Sequence, residues 1–549
     1  MLTSKNVLKM KLNIFNIHKI ALIGIFSLFT LTSCHDDLNL NPIDPDMVTE
    51  NEVFSNAQEA KAALGKIYAS LSLTGQEGPA GQPDIVGVDE GTSQYTRLMF
   101  YLNELTTDEA IVGWGDAGLP NLHAMDWGAS NPFVEAMYFR LAQTVSFSNS
   151  FIEKAEKLAE NDPEVKKFVA EARFIRAYAY YNLMDLYANV PLVTKVSLEL
   201  PKQNNRQEIY TFVETELKDL ESLLADARSN EYGRVDKVAA YALLSRLYLN
   251  SEVYVNQNKY KEAAEYAKKA IESGYIINTK DINGNGSAYD ELFLADNDTN
   301  GAQNENIFAI NFDGRYSTTY GGATFIVKAK IGGSMAPADF GVNGGWGGPR
   351  TTKALVNQFS SAVTQSNSAG NPTAWKDKRA MFHSDGQTFE IENVSEFKNG
   401  YAITKFSNKK SDGTNGNNDT GEHADVDIPI FRVAEMYLNY AEAALRGGGD
   451  TGIALNYINQ LRERAYGNTS GNVTSINLDF ILAERSREMY WEGTRRTDLI
   501  RFNKFTNNYN WPFKGGIANG MNVDNHRTIY PIPFNALAVN PNLTQNPGY

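Results

Sequence analysis

The residues able to do covalent chemistry do not fall into catalytic patterns in this sequence. No H-E-x-x-H or G-x-S-x-G motif is present, so neither a zinc-protease helix nor a serine nucleophile elbow is indicated. The G-x-G-x-x-G match at Gly113, Gly115 and Gly118 is followed at once by Pro120, without the strand and helix that a dinucleotide site requires. Histidine occurs at six positions: His18, His35, His123, His383, His423 and His526.

Two pairs of adjacent acids, Asp89-Glu90 and Asp108-Glu109, are candidates for glycoside hydrolysis, which uses two carboxyl groups. The alternative is that these acids bind sugar hydroxyls or cap loops. The chain has 65 acidic and 51 basic residues, so adjacent acids are common and we favour the alternative. The net charge of -14 also argues against nucleic acid or another polyanion as the main partner.

A further set of acids has the hard oxygen ligands that suit calcium. Asp298 precedes a loop that contains Gln303, and Asp425 and Asp427 follow much later in the chain. The alternative is a pair of acidic turns that never meet. The residues by themselves favour that alternative.

Two tryptophans, Trp114 and Trp346, each lie between two glycines. Such a residue lies in an exposed loop more often than in a core, and exposed aromatic residues in loops are candidates for binding. A flat ring can stack on the apolar face of a hexose without any charge. A loop aromatic tucked under its own loop is an equally good interpretation of the residues alone.

The single cysteine, Cys34, follows a leader of the bacterial lipoprotein type. Lysines precede an apolar run at 20–31, which is too short to span a bilayer, and Leu-Thr-Ser leads directly to the cysteine. One cysteine also excludes an internal disulfide. We therefore predict a signal peptide at 1–33, lipidation at Cys34 and a polar tether at 34–50.

Apolar residues recur at helical spacing along most of the chain, which predicts helices. We expect these helices to position the candidate residues. Small alanines in several of these segments would let paired helices approach closely, as in tetratricopeptide repeats. The predicted helices span 56–71, 133–158, 164–187, 207–227, 237–250, 260–273, 432–446 and 451–466.

Between the helical parts the chain is rich in glycine, asparagine, aspartate, serine and threonine, and it contains short strand-like runs. So long an irregular stretch usually carries function. We predict a mainly α fold, with a tetratricopeptide-like helical-repeat scaffold and a large loop-rich insertion containing short strands. Residues 51–549 would form a single domain, with helical pairs at about 51–275 and 428–505 and the loop-rich insertion at about 276–427.

Three segments of the chain resemble signatures of the SusD/RagB family, outer-membrane glycan-binding lipoproteins of Bacteroidetes. The first, 171–193, begins Glu-Ala-Arg-Phe-Ile-Arg-Ala-Tyr; the second, 490–501, contains Glu-Gly-Thr-Arg-Arg-Thr-Asp-Leu-Ile-Arg. The third is the C-terminal Tyr-Pro-Ile-Pro at 530–533 with the tail at 545–549. The acids Asp36 and Asp37 after the cysteine resemble a surface-export signal, which implies a protein facing the cell exterior.

Several loops, including 87–91, 292–298 and 343–346, further resemble those of a starch-binding member of the family. That resemblance implies an aromatic row on which an α-glucan stacks, with polar groups on the sugar hydroxyls. Val112 stands where the similar protein has another tryptophan. The implied glycan-binding residues are Asp89, Arg97, Trp114, Asp116, Tyr320 and Trp346, and the implied calcium ligands are Asp298, Gln303, Asp425 and Asp427.

The function implied is non-enzymatic binding of starch or maltooligosaccharides at the cell surface. The resemblance implies delivery of the glycan to a TonB-dependent, SusC-like transporter, with no cofactor required beyond a possible structural calcium ion. Three alternatives remain: a family member that binds another glycan, a peptide-binding member, and a surface glycoside hydrolase.

Overall fold

The computed structural model describes residues 53–549, and the predicted signal peptide, Cys34 and tether lie outside this part of the chain. Ala60–Tyr549 form one compact unit. No helix within 53–549 is both long and apolar enough to cross a bilayer. The helices are α1 (Ala57–Ser72), α2 (Tyr95–Asn103), α3 (Pro120–Ala124), α4 (Pro132–Ala159), α5 (Pro163–Tyr187), α6 (Arg206–Leu220), α7 (Lys237–Leu249), α8 (Ser251–Val255), α9 (Tyr260–Ile271), α10 (Gly322–Lys328), α11 (Lys353–Asn357), α12 (Val433–Leu445), α13 (Thr451–Tyr466), α14 (Leu478–Met489), α15 (Arg495–Arg501) and α16 (Phe534–Val539).

Local capping signals begin the long helices. The side chain of Asn131 accepts hydrogen bonds from the first backbone N–H groups of α4, and Asp162 does the same for α5. In both helices proline occupies the first turn, where no N–H partner is needed. Asn205 and Glu208 form a reciprocal capping box at the start of α6. These contacts satisfy backbone donors that a helix start otherwise leaves unpaired.

The main helices pack against one another in a continuous series. α4 packs on α5, α5 on α6, α7 on α9, α9 on α12 and α12 on α13. Close approach is possible because α5 and α9 place small side chains at their interfaces. The predicted mainly α, helical-repeat architecture is therefore confirmed. The buried alanines include Ala170, Ala172, Ala177 and Ala179 in α5, and Ala263, Ala264, Ala267 and Ala270 in α9.

The loop-rich insertion is tied to the scaffold by two-stranded antiparallel sheets. β4 (Asn306–Ile310) pairs with β10 (Ile428–Arg432), which leads directly into α12, and β1 (Ile111–Val112) pairs with β5 (Pro349–Arg350). The second pairing brings the chain after α2 beside the middle of the insertion. The strands are β1 (Ile111–Val112), β2 (Val190–Pro191), β3 (Gln203–Asn204), β4 (Asn306–Ile310), β5 (Pro349–Arg350), β6 (Val363–Ser366), β7 (Pro372–Trp375), β8 (Phe382–His383), β9 (Ala402–Ile403) and β10 (Ile428–Arg432).

Candidate functional site

Three aromatic side chains that are far apart in the sequence form one row at the surface. The ring centroids of Tyr320 and Trp346 are 6.4 Å apart, and those of Trp346 and Trp114 are also 6.4 Å apart. Successive ring planes are inclined by 52° and 47°, so the row is curved. Tyr320 is 36% exposed, and both tryptophans are half-buried. Such a row presents adjacent ring faces to a curved, uncharged ligand.

The pairing of β1 with β5 holds the two tryptophans together. The indole Nε1 of Trp114 donates a hydrogen bond to the carbonyl oxygen of Trp346 at 3.3 Å. The backbone N–H of Trp346 donates to the carbonyl of Lys328, at the end of α10, at 2.9 Å. A Cβ atom on Gly348 would lie 2.3 Å from the Trp114 indole, so glycine is required there for packing. Gly348 thus allows the close approach of this loop to Trp114.

Arg97 lies at the base of the row, between Tyr320 and Trp114. Its Nε donates to the hydroxyl of Tyr101 at 2.9 Å, and its Nη1 donates to the Tyr320 carbonyl at 3.3 Å. The guanidinium is 4.8 Å from the centroid of the Phe325 ring and 5.9 Å from that of Trp114. These contacts orient a half-exposed cation beside the aromatic faces.

The acids Asp89 and Asp116 are exposed, and both are close enough to the buried hydroxyl of Tyr101 to act on it electrostatically. Burial raises the pKa of the Tyr101 hydroxyl, Arg97 opposes that rise, and the nearby carboxylates of Asp116 and Asp89 add to it. The carboxylate of Asp89 also accepts hydrogen bonds from the backbone N–H and the hydroxyl of Thr92, both at 2.8 Å. Asp89 therefore caps a turn while keeping free carboxylate lone pairs at the surface.

A polar cluster beside the row consists of residues that sequence analysis did not assign to the site. Lys328 donates to the Asn343 side chain at 2.9 Å and lies 3.1 Å from the carboxylate of Glu422, which accepts a hydrogen bond from Asn343 at 2.8 Å. Burial opposes ionisation of Glu422, but these contacts outweigh it and lower its pKa. The ring centroids of His423 and Tyr320 are 5.1 Å apart, and the ring planes are inclined by 49°. Asn343 lies in one of the loops that resemble the family, whereas Lys328 and Glu422 carry no sequence signal.

Val112, which stands where the similar protein has tryptophan, is not part of the exposed aromatic row. Val112 is 1% exposed and pairs with Pro349 within the β1–β5 sheet.

The second acidic pair is part of the core. The carboxylate of Asp108 receives two hydrogen bonds of 2.7 Å from Arg495, and Glu109 accepts one of 2.6 Å from Ser486. Both acids are at most 1% exposed, so a polysaccharide cannot reach them. Their adjacency therefore reflects a buried ion pair, a role that we did not consider from the sequence.

Three of the four candidate calcium ligands face one cavity, which has a volume of about 650 Å³. Asp298, Asp425 and Asp427 line it, whereas Gln303 does not and instead accepts the backbone N–H of Gly301 at 2.7 Å. Burial raises the pKa of Asp427, and the charges of Asp298 and Asp425 raise it further. Within 53–549, no three His, Cys, Asp or Glu side chains converge closely enough to hold one ion together. The three acids therefore share a cavity without forming a closed ligand set.

Two regions of the chain match known protein families. A family described as "SusD family" matches residues 268–549, and a family described as "Starch-binding associating with outer membrane" matches residues 89–249. The starch-binding protein SusD of Bacteroides thetaiotaomicron is 35% identical over 96% of this chain and 98% of its own length. The SusD-like protein P2 of Formosa agariphila is 24% identical over 96% of this chain and 98% of its own length.

Solved structures show the same fold. A SusD homologue from Bacteroides thetaiotaomicron has a TM-score of 0.69 at 20% identity, covering 91% of this chain and 98% of the homologue. The surface glycan-binding protein A of Bacteroides fluxus has a TM-score of 0.65 at 22% identity, covering 90% of this chain and all of the other. The resemblance drawn from the sequence is confirmed, and the chain belongs to the SusD family of glycan-binding outer-membrane proteins.

Proposed function

We propose that this protein binds starch and maltooligosaccharides at the cell surface without cleaving them. The observation that carries the proposal is the curved row of Tyr320, Trp346 and Trp114 with Arg97 at its base. An α-glucan winds as a helix, so successive glucose rings turn relative to one another, and a row of inclined ring faces follows that turn. Stacking buries apolar area on each sugar, and the adjacent polar groups orient the hydroxyls. The 35% identity to a starch-binding protein supports the same ligand class.

The absence of cleavage is part of the proposal. Glycoside hydrolysis needs two accessible carboxyl groups on opposite sides of the scissile bond. Of the two acidic pairs suggested by the sequence, Asp108-Glu109 is buried in the core. In the other pair Asp89 caps a turn, while Glu90 is 6% exposed and accepts hydrogen bonds from Thr74 and from the backbone of Tyr320. We therefore assign binding, and no acid–base role, to this surface.

Affinity electrophoresis of the soluble form that lacks residues 1–34 tests the ligand class. We expect the protein to be retarded in gels containing starch or pullulan, and to run unretarded in dextran or levan, because only the first two contain the curved α-1,4-linked runs that match the row. Free migration in both starch and pullulan would contradict the α-glucan assignment. Release of reducing sugar from starch by the pure protein would contradict the assignment of a non-enzyme.

We further propose that Cys34 carries a lipid that anchors the protein in the outer membrane, facing the cell exterior. There it would act as a lid that passes oligosaccharides to a TonB-dependent, SusC-like transporter, with the tether at 34–50 allowing the lid to open. Support comes from the leader sequence and from the family match at 89–249, whose description includes association with the outer membrane. Mass spectrometry of the mature N-terminal peptide measures the lipid, and an unmodified Cys34 thiol would contradict the anchor.

We also propose a structural calcium ion in the cavity lined by Asp298, Asp425 and Asp427, bound by fewer than three of these acids because they do not converge on one point. Carboxylate oxygens are ligands that calcium prefers, and a divalent cation would offset the mutual repulsion of these acids. Gln303 is the least suited of the four residues, because its side-chain oxygen already accepts a backbone hydrogen bond. An Asp427→Asn chain that binds as much calcium as the wild type would contradict this site.

A further inference from the structure

The loop after α9 contains a run of oxygen-bearing side chains that the proposed glycan site does not use. Its sequence, Asp281-Ile-Asn283-Gly284-Asn285-Gly286, places an acid or an amide at every second position and a glycine after the third. This is the D-x-[DN]-x-[DN]-G spacing with which calcium-binding loops begin. Gly284 and Gly286 have φ values of +72° and +84°, which side chains disfavour and which let the loop turn sharply.

The backbone of this loop is wrapped around the side chain of its first residue. The two carboxylate oxygens of Asp281 accept hydrogen bonds from the N–H groups of Asn285, at 3.1 Å, and of Gly286, at 2.8 Å. The amide oxygens of Asn283 and Asn285 each accept the N–H group two residues further on, at 3.0 and 2.9 Å. The alternate side chains are therefore gathered on the inside of one tight turn.

A buried carboxylate contacts this turn through one oxygen and leaves its other oxygen unpaired. Asp290 is 8% exposed, and its Oδ2 accepts the amide N–H groups of Asn283 at 2.9 Å and Asn285 at 2.6 Å. Its buried Oδ1 has no hydrogen-bond partner anywhere in the described part of the chain. Leaving such an oxygen unpaired costs free energy, so a cation or a hydrogen-bond donor at this oxygen would stabilise the loop.

We propose that this loop is a calcium-binding site with Asp281, Asn283, Asn285 and Asp290 as its side-chain ligands. Calcium binding requires the two carboxamides to rotate by half a turn, which directs their oxygens toward the ion and gives up the hydrogen bonds that Asn283 and Asn285 accept from the backbone. Ser287 stands seventh in the loop, the position that supplies a backbone carbonyl in loops of this type. The proposed side-chain ligands are two carboxylates and two amides, so this site does not require three acidic side chains to converge.

The neighbouring Glu291 closes the loop without acting as a ligand. One oxygen of its carboxylate accepts the N–H groups of Ile282, at 2.8 Å, and Asn283, at 2.7 Å. The hydroxyl of Tyr289 donates to the carbonyl of Glu488 at 2.6 Å, which anchors the end of the loop to the scaffold. Calcium would thus order the segment that leads into Asp298, at the start of the loop-rich insertion. The inference is independent of the glycan that the protein binds.

Calcium binding by the mature protein tests this site directly. Equilibrium dialysis of chelator-stripped protein against radioactive calcium is expected to show one ion fewer per chain for Asp290→Asn and for Asp281→Ala than for the wild type. Because only two ligands are charged, we expect an affinity typical of extracellular modules, with Kd about 10⁻⁴–10⁻³ M. The matched control is Asp385→Asn, which removes an exposed acid that also precedes a left-handed glycine, Gly386, and should bind as the wild type does.

Two further measurements keep the test informative if a loop variant folds poorly. Calcium should slow backbone hydrogen exchange in the wild-type peptide 281–291 by at least about tenfold, since a bound ion suppresses local opening. The Asp427→Asn protein, altered only in the other proposed site, should retain this protection. Unchanged exchange at 281–291 with saturating calcium, or wild-type stoichiometry in both loop variants, would overturn the proposal.

Discussion

Replacing Trp346 with alanine is expected to abolish the retardation of the protein in starch gels. Trp346 is the middle ring of the row, with both neighbours at 6.4 Å, so its loss leaves two separated rings in place of a continuous surface. Central aromatic residues of this kind typically contribute about 2–3 kcal/mol to binding, which corresponds to a loss of affinity of roughly 30- to 150-fold. Affinity electrophoresis over a series of starch concentrations gives the ratio of the dissociation constants.

The matched control for this substitution is Trp375→Ala. Trp375 is also half-buried, but it lies in β7 and packs on Phe382 at 5.2 Å, with no ring contact to the row. We expect this variant to bind starch as the wild type does, although with some loss of stability. Equal circular dichroism spectra establish that the Trp346 variant is folded. Wild-type retardation of a folded Trp346→Ala protein would show that the row is not the binding surface.

The largest effect on stability is expected for Arg432→Met. Arg432 is the last residue of β10, and its side chain is 1% exposed. It donates to Glu305 at 3.0 Å, to Glu488 at 2.6 Å, and to both oxygens of Glu492 at 2.7 and 2.8 Å. Methionine fills similar space but leaves these buried carboxylates without their cation, which typically costs about 3–5 kcal/mol. Since whole domains are stable by only about 5–15 kcal/mol, we expect a large fall in the urea midpoint.

The matched control is Arg315→Met, which breaks an ion pair with Asp419 on the surface. The Arg315 and Asp419 side chains are 49% and 87% exposed, so water replaces the lost contact and the urea midpoint should barely change. Equal effects of the two substitutions would contradict the structural role assigned to the buried network.

The same network predicts that the protein loses stability in acid. Burial opposes ionisation of Glu484, but Arg379, Arg487 and Arg462 outweigh it and lower its pKa to about 2; the pKa of Glu488 is also lowered, by Arg464, Arg432 and Arg379. A carboxyl whose pKa is lower in the folded state stabilises the fold above its unfolded pKa, and that stability is lost as the pH falls through the folded value. We expect the free energy of unfolding to fall steadily from about pH 5 toward pH 2. A constant value over this interval would contradict the pairing.

Most of the scaffold was predictable from the sequence because its signals are local. Helical spacing and caps such as Asn131 and Asp162 act within one or two turns, so α4 and α5 were placed within a residue or two of their observed ends. The predicted helices omit α2, eight of whose nine residues are buried, and α14, eight of whose twelve residues are buried. A helix buried on nearly all sides lacks the alternation of polar and apolar faces that marks a helix in sequence. The prediction that α6 extends to 227 was also wrong, because the chain turns after Leu220 and reverses, so that Lys237 hydrogen-bonds Ala225.

By itself the sequence determined the family, the helical-repeat architecture and the residue types of the aromatic row, because these depend on motifs and on periodicity along the chain. Only the tertiary structure decided which residues meet. Trp114 and Trp346 are 232 positions apart, and it is the pairing of β1 with β5 that brings them into one row. The burial of Asp108-Glu109 and the Lys328 cluster beside Trp346 likewise follow from contacts between distant segments. Such contacts depend on packing in three dimensions, for which neighbouring residues in the chain carry no signal.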